Sequence, residues 1–176
     1  MPVDKEKLEK FKRGELKLGE VFDFEKNKDQ LAALIMTGHT LFKEGRLEEA
    51  KQVFRGLAIL DGQNPYVHGI LGAIHQKQEK YDSALSEYSM ALGLYPQDTY
   101  SRVNRGEIYL RLGNFRDAAA DFKVAIDSDP EKKHPAANRA RLMVALTQEA
   151  LKLAKEKGVQ AVFDAKNQLA ANKPSS

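Results

Sequence analysis

The side chains that could support catalysis or metal binding are four histidines, at positions 39, 68, 75 and 134. His68 and His75 are seven residues apart, so both could lie on one face of a helix. A histidine-based zinc site would add a His-Glu-x-x-His arrangement or a carboxylate ligand, and neither accompanies this pair. We therefore expect these two histidines to be packing or surface residues, and we predict no metal site.

Other catalytic patterns find no support in the sequence. There is no cysteine, which removes thiolate chemistry and a disulfide framework. The glycines occur singly and form no phosphate-binding loop. Carboxylates are numerous, and their usual place is a solvated helix face. We expect neither an enzyme nor a cofactor.

Composition favours one soluble domain. The chain has 176 residues, of which 42% are hydrophobic, enough for a core in a single domain. No apolar run approaches the roughly 20 residues of a membrane span, and the charged N-terminus lacks the apolar stretch of a secretory signal. We expect a cytoplasmic protein that does not insert into membranes.

The net charge of +3 is unevenly distributed. Residues 1–30 are neutral, residues 31–132 carry −2, and residues 133–176 carry +5. A nucleic-acid-binding protein would place a basic stripe on its recognition surface. Because the middle of the chain is slightly acidic, we expect no nucleic-acid partner.

Similar residues recur every 34 positions in the middle of the chain. The recurring positions hold glycine, alanine and aromatic residues: Gly38, Gly72 and Gly106; Ala50, Ala84 and Ala118; Phe54, Tyr88 and Phe122. A 34-residue period of this kind is typical of tetratricopeptide repeats, each a helix–turn–helix unit. We predict an all-α superhelix of three units, 31–64, 65–98 and 99–132, in which small residues allow close helix crossing. We also expect the prolines near the ends of the units, Pro65, Pro96 and Pro130, to start the next helix.

The ends of such a superhelix need capping helices because they would otherwise expose apolar faces. We expect a C-terminal cap over 133–172, with one helix from about Ala136 to Lys157 and a short second one. The tail 173–176 is expected to fray. The cationic side chains of the first of these helices are expected on its wetter sides, away from its apolar side: Arg139, Arg141, Lys152 and Lys155.

The N-terminal segment, 1–30, combines charge with large apolar side chains that must be buried somewhere. Three interpretations remain open: a cap on the first unit, a contact with a second copy of the chain, or occupation of the protein's own groove. The side chains expected in a dimer contact are Leu8, Phe11, Leu18, Val21 and Phe22.

The first helix of each unit should line the concave face of the superhelix. The residues expected there are Ala32, Ile35, His39 and Phe42, then Tyr66, Gly69, Ile70, Ala73 and Gln76, then Tyr100, Val103, Asn104, Glu107 and Leu110. Small residues open pockets and tyrosines wall them, which suits an extended peptide with an apolar side chain. The positions that carry Lys or Arg in carboxylate-clamping repeats hold neither here, so we do not expect such a clamp.

One family resembles this chain closely in its motifs. Leu71-Gly72-Ala73-x-x-Gln76 with Tyr81, Ala84 and Tyr88 resembles the middle repeat of the class II chaperones of bacterial type III secretion, the LcrH/SycD type. Gly45-Arg46-Leu47 through Leu60-Asp61 is similar to their first repeat, and Phe11-x-x-Gly14 to their lead-in.

The resemblance implies a non-catalytic cytoplasmic chaperone. Such chaperones bind hydrophobic translocator proteins before secretion, hold an extended Pro-x-Leu-x-x-Pro-like segment in the groove, and often dimerise through N-terminal helices. Tyr66, Gly69, Ala73 and Tyr100 fall where pocket-forming residues are expected. The alternative is a general adaptor whose repeats join subunits of another complex.

Overall fold

The computed structural model describes residues 28–158, together with Lys10 and Asp164. Seven helices and no strand occur in 28–158. They are α1 (Lys28–Lys43), α2 (Leu47–Leu60), α3 (Pro65–Lys77), α4 (Tyr81–Leu94), α5 (Thr99–Arg111), α6 (Phe115–Asp127) and α7 (Pro135–Lys157). Within this range the helices form three consecutive hairpins, α1–α2, α3–α4 and α5–α6, and α7 packs on both α5 and α6. The predicted all-α repeat fold is confirmed.

Each hairpin closes on a contact between a glycine and an aromatic ring. A Cβ atom built on Gly38, Gly72 or Gly106 would come within 2.7 Å of the ring of Phe54, Tyr88 or Phe122, respectively. The three rings are buried. The ring therefore fills the crossing inside its own unit. Phe54 also meets Tyr66 edge-on, with 6.4 Å between ring centroids, so it joins unit one to unit two as well.

The turn inside each hairpin places one residue in the left-handed region. Gly45 and Gly113 have φ of 77° and 78°, and the equivalent residue of the second unit is Glu79, with φ of 58°. Glycine adopts this conformation without a steric penalty, whereas a residue with a Cβ does not. Unit two thus carries strain that the other two units avoid.

Two prolines lie elsewhere than predicted. Pro65 is the first residue of α3, as expected, and Asn64 caps that helix by accepting hydrogen bonds from the backbone N–H groups of Tyr66 and Val67. Pro96 and Pro130 start no helix. Each proline is the second residue of a β-turn, a position that suits its fixed φ. The turns are closed by hydrogen bonds from Asp98 N to Tyr95 O at 3.1 Å and from Lys132 N to Asp129 O at 3.2 Å.

Helix α7 confirms the predicted C-terminal helix but not the placement of all its cations. Its bounds agree with the expected 136–157, and Gly158 follows with φ of 84°. Arg141 turns inward instead of facing solvent. It donates to Asp129 Oδ2 at 2.9 Å and to the carbonyl oxygen of Ile126 at 3.3 Å. The prediction failed because it considered α7 alone, without the acidic turn before it.

Several predicted features lie outside the described residues. They are the dimer contacts Leu8, Phe11, Leu18, Val21 and Phe22, the second C-terminal helix, and the tail 173–176. They stay predictions.

Replacing Gly72 by alanine should destabilise the fold, because the new methyl group would overlap the ring of Tyr88. We expect a loss of about 1–3 kcal/mol in the free energy of unfolding, measured by urea denaturation. Gly56→Ala is the matched control, since nothing lies within 4 Å of a Cβ built there on α2. It should gain about 0.5–1 kcal/mol from helix propensity. Equal stabilities for the two variants would contradict the close crossing.

Replacing Glu79 by glycine should stabilise the protein by about 0.5–1 kcal/mol, because glycine relieves the left-handed backbone while adding some unfolded-state entropy. Thermal and urea unfolding would measure the gain. Glu79→Ala removes the same charge but keeps a Cβ in the strained region, so it should bring no gain. An equal gain in stability from Glu79→Ala would show that the loss of the charge, and not the relief of the backbone, stabilises the protein.

Candidate functional site

The first helices of the three units enclose a cavity of about 310 Å³, here called the tyrosine cavity. It lies between α1, α3 and α5, at their concave side. Its lining residues are His39, Tyr66, Gly69, Ile70, Ala73, Asp98, Tyr100, Ser101 and Asn104. Seven of these nine residues were expected in the groove from the repeat register: one on α1, four on α3 and two on α5.

Glycine at position 69 keeps the tyrosine cavity open. A Cβ built on Gly69 would lie 3.0 Å from Ser101 Oγ and 3.6 Å from Asp98 Oδ2, across the space between α3 and α5. Any larger side chain would therefore extend toward α5 and fill the gap. With Ala73 one turn further along α3, the small residues leave room for a side chain from another molecule.

Aromatic rings wall the tyrosine cavity on two sides. Tyr66 and Tyr100 are 42% and 53% exposed, large values for tyrosines that line a concave surface. The ring of His39 stacks on Tyr66, with 6.4 Å between centroids and 10° between planes. The ring of His134 lies 5.0 Å from that of Tyr100. Partial burial raises the pKa of the Tyr66 hydroxyl, so it stays protonated and able to donate a hydrogen bond.

Asp98 and Ser101 line the tyrosine cavity but were not predicted. Asp98 caps α5: its Oδ1 accepts from the backbone N–H groups of Tyr100 at 3.1 Å and Ser101 at 3.3 Å. Its other oxygen, Oδ2, lies on the side of Gly69. A signal was available in the sequence, because Asp98 stands 34 residues after the helix cap Asn64.

A second cavity of about 670 Å³ lies further along the same helices, and we call it the arginine cavity. It is lined by Gln76, Glu107, Ile108, Leu110, Arg111, Arg139 and Met143. The predicted residues Gln76, Glu107 and Leu110 belong here rather than to the tyrosine cavity. Helix α7, which the repeat register does not cover, supplies two of the lining residues.

Arg139 joins α7 to the groove. Its Nε donates to Glu107 Oε1 at 2.5 Å, and its Nη2 donates to Asn104 Oδ1. Asn104 lines the tyrosine cavity and Arg139 lines the arginine cavity, so this hydrogen bond connects the linings of the two cavities. The Arg139 side chain stays 41% exposed, on one of the wetter sides of α7, and it also pairs with Glu107, which stands 32 residues earlier in the chain.

Four predicted groove residues line neither cavity. Val103 is fully buried in the core between α5 and α6, so its predicted place on the groove surface is wrong. Ile35 packs against the core of unit one. Ala32 is exposed on α1. Phe42 packs against the same core as Ile35, and Lys77 Nζ lies 4.9 Å from the centroid of its ring.

Two of the histidines are engaged in packing. His68 is buried, with Nδ1 2.8 Å from Glu87 Oε2 and Nε2 3.1 Å from the carbonyl oxygen of Gly62. His75 is also buried, and burial lowers its pKa. Among residues 28–158 there is no group of three or more His, Cys, Asp or Glu side chains that could hold a metal ion.

The part of the chain that the structure describes includes no helix that is long and apolar enough to cross a membrane.

Two family models of the tetratricopeptide repeat match the sequence, one over residues 35–99 and the other over residues 71–145. Together they cover well over half of the chain. The chain is a tetratricopeptide repeat protein. The matched region runs from α1 into α7 and therefore contains every residue of both cavities.

Solved structures of type III secretion chaperones have the same architecture. The Yersinia enterocolitica translocator chaperone SycD matches with a TM-score of 0.64 and 26% identity, over 73% of this chain and 88% of SycD. SycD in complex with a peptide of the translocator YopD matches at the same identity, with a TM-score of 0.62, over 73% and 96%.

Two further proteins share the fold. PcrH, a protein from Pseudomonas aeruginosa, matches in complex with the chaperone binding region of PopB. The TM-score is 0.61 at 26% identity, over 65% of this chain and 94% of PcrH. The TPR domain of Arabidopsis OM64 matches with a TM-score of 0.60 at 19% identity, over 68% and 97%. This last likeness concerns the fold alone.

Proposed function

We propose that this tetratricopeptide repeat protein is a non-enzymatic chaperone of type III secretion in the bacterial cytoplasm. It holds a hydrophobic translocator protein before secretion by binding an extended segment of it in the concave groove. Binding hides membrane-seeking segments that would otherwise aggregate. It stabilises the bound client by mass action and requires no covalent reaction.

The tyrosine cavity is the observation that carries this proposal. Its volume of about 310 Å³ admits one or two apolar side chains but not a folded domain. Gly69 and Ala73 provide the depth, and the partly exposed rings of Tyr66 and Tyr100 provide apolar walls that each carry a hydroxyl group. An extended peptide needs this combination, because its side chains seek apolar pockets while its backbone needs hydrogen-bonding partners.

The similarity to SycD and PcrH supports the same proposal. Both proteins match over more than four fifths of their own length; SycD is also known with a peptide of the translocator YopD bound, and PcrH with the chaperone binding region of PopB. Translocator-type clients are therefore the partners we propose here. A general adaptor would use the same superhelix for partners of other chemistry, and the peptide experiment separates the two.

A fluorescence-anisotropy titration with a labelled Pro-x-Leu-x-x-Pro peptide should show micromolar binding. Replacing its Leu by Asp should weaken binding at least tenfold, because a carboxylate would be desolvated in the tyrosine cavity. Binding to neither peptide would contradict the chaperone proposal and favour the adaptor.

Two glycine-to-arginine substitutions, one in the tyrosine cavity and one outside it, test where the peptide binds. Gly69→Arg fills the tyrosine cavity and should abolish binding, as should Tyr66→Ala, which removes a wall. Gly93→Arg lies on α4, where nothing is within 4 Å of a built Cβ, and should bind like the parent. Circular dichroism should show unchanged helicity in all three. Full binding by Gly69→Arg would place the peptide elsewhere.

We also propose a homodimer through the N-terminal segment, with Leu8, Phe11, Leu18, Val21 and Phe22 in the contact. The supporting observation is the density of large apolar side chains in residues 1–30. Light scattering should report a dimer mass for the full chain and a monomer mass after removal of residues 1–25. The same number of subunits before and after removal would contradict the dimer contact and favour the interpretation of the segment as a cap on the first unit.

A further inference from the structure

We infer that the arginine cavity is a second subsite of the groove, and that it binds the carboxylate of a Glu or Asp side chain in the client segment held by the tyrosine cavity. The inference rests on the proposed function, since it concerns the same bound peptide. It adds a specificity that an apolar groove alone does not have: a preference for an acidic residue near the apolar anchor.

Gln76 presents hydrogen-bond donors to the arginine cavity. The hydroxyl of Tyr88 donates to Gln76 Oε1 at 2.7 Å, which fixes the orientation of the amide. Tyr88 is fully buried, and burial raises its pKa, so the hydroxyl keeps its proton and its role as donor. The amide NH₂ group is left without a hydrogen-bond partner among the described residues, and Gln76 lines the cavity.

Arg139 is held in place but not saturated. Its Nε and one Nη2 hydrogen are used by Glu107 and Asn104, whereas Nη1 makes no hydrogen bond within residues 28–158. A guanidinium group has five N–H donors, so a second carboxylate can approach the same cation from the free side. The ion pair with Glu107 thus positions Arg139 at the cavity, where its side chain is 41% exposed.

Arg111 gives the cavity its excess positive charge. Its guanidinium lies 5.7 Å from the centroid of the Tyr81 ring, and it forms no ion pair with any residue of the described part. Arg111 and Arg139 against Glu107 leave the lining with a net charge of +1. The N–H groups of Gln76, Arg139 and Arg111 that have no partner in the described part of the chain can all donate hydrogen bonds to an anion. Ile108, Leu110 and Met143 add an apolar surface for the methylene groups of an acidic side chain.

The spacing of the two cavities suits one continuous peptide. The tyrosine cavity is centred near residue 102 of α5 and the arginine cavity near residue 109, which corresponds to about 10 Å along a helix rising 1.5 Å per residue. An extended chain covers about 3.3 Å per residue. The acidic residue should therefore stand two to four positions from the apolar anchor.

The test uses the Pro-x-Leu-x-x-Pro peptide with Glu or Gln placed in turn at each free position within four residues of its Leu, on either side. At one position, Glu should bind about fivefold more tightly than Gln in low salt, and the ratio should fall at high ionic strength. Glu107→Gln releases Arg139 from its internal partner and should increase this ratio.

Arg111→Gln and Arg139→Gln should each reduce the Glu-to-Gln ratio to below twofold while keeping Leu-dependent binding. Arg116→Gln is the matched control, because Arg116 is exposed on α6 and lines neither cavity. It should leave the ratio unchanged. A thermal melt of each variant would show that the fold persists. Because Arg111 has no ion pair to lose in the described part, Arg111→Gln tests the site without disturbing α7.

Two results would overturn the inference. Leu-dependent binding with no position at which Glu exceeds Gln would reject the carboxylate subsite and leave the proposed function standing. A ratio that survives both arginine substitutions would place the acidic residue elsewhere. Binding that does not depend on Leu at all would reject the proposed function and this inference together.

Discussion

The fold depends on one contact repeated every 34 residues, a buried aromatic ring lying directly against a glycine. Helices can approach this closely only where one of them lacks a Cβ, and the ring then fills the crossing that results. A Cβ at Gly38, Gly72 or Gly106 would meet its ring at 2.7 Å, so the three units share one geometry. The contact sets how the two helices of each unit cross, and because the three units share it, they can stack in the same way and place α1, α3 and α5 around the tyrosine cavity.

The middle unit connects that packing contact to the groove. Units one and three place Phe54 and Phe122 at the crossing, whereas unit two places Tyr88 there. The ring packs on Gly72 like its counterparts, but its hydroxyl reaches Gln76 on the groove side of α3. A buried tyrosine needs a hydrogen-bond partner, and satisfying it orients an amide at the cavity. The same side chain therefore stabilises the unit and sets the polarity of the binding surface.

The sequence period predicted the fold and most of the tyrosine cavity because both depend on contacts inside or between adjacent repeats. It failed where a contact falls outside the register. Arg139 reaches Glu107 from α7, to which the repeat rule assigns no groove position. Val103 was placed by counting along α5, yet it lies in the core with Phe122 because α7 packs there and contributes Ala136 and Ala140 to the same buried cluster. The prolines failed for a local reason, since Pro96 and Pro130 serve turns rather than helix starts.

The uneven charge of the chain has a structural explanation in the packing of α7. The repeats carry a net negative charge and the C-terminal part a positive one, and two arginines of α7 meet two carboxylates of the last unit. Arg141 binds Asp129 and holds the pKa of that carboxyl below its usual range, while Arg139 binds Glu107. Part of the basic charge is thus used to attach α7 to the repeats. Because Arg139 makes its attachment at the groove, the helix that covers the end of the superhelix also contributes to its binding surface.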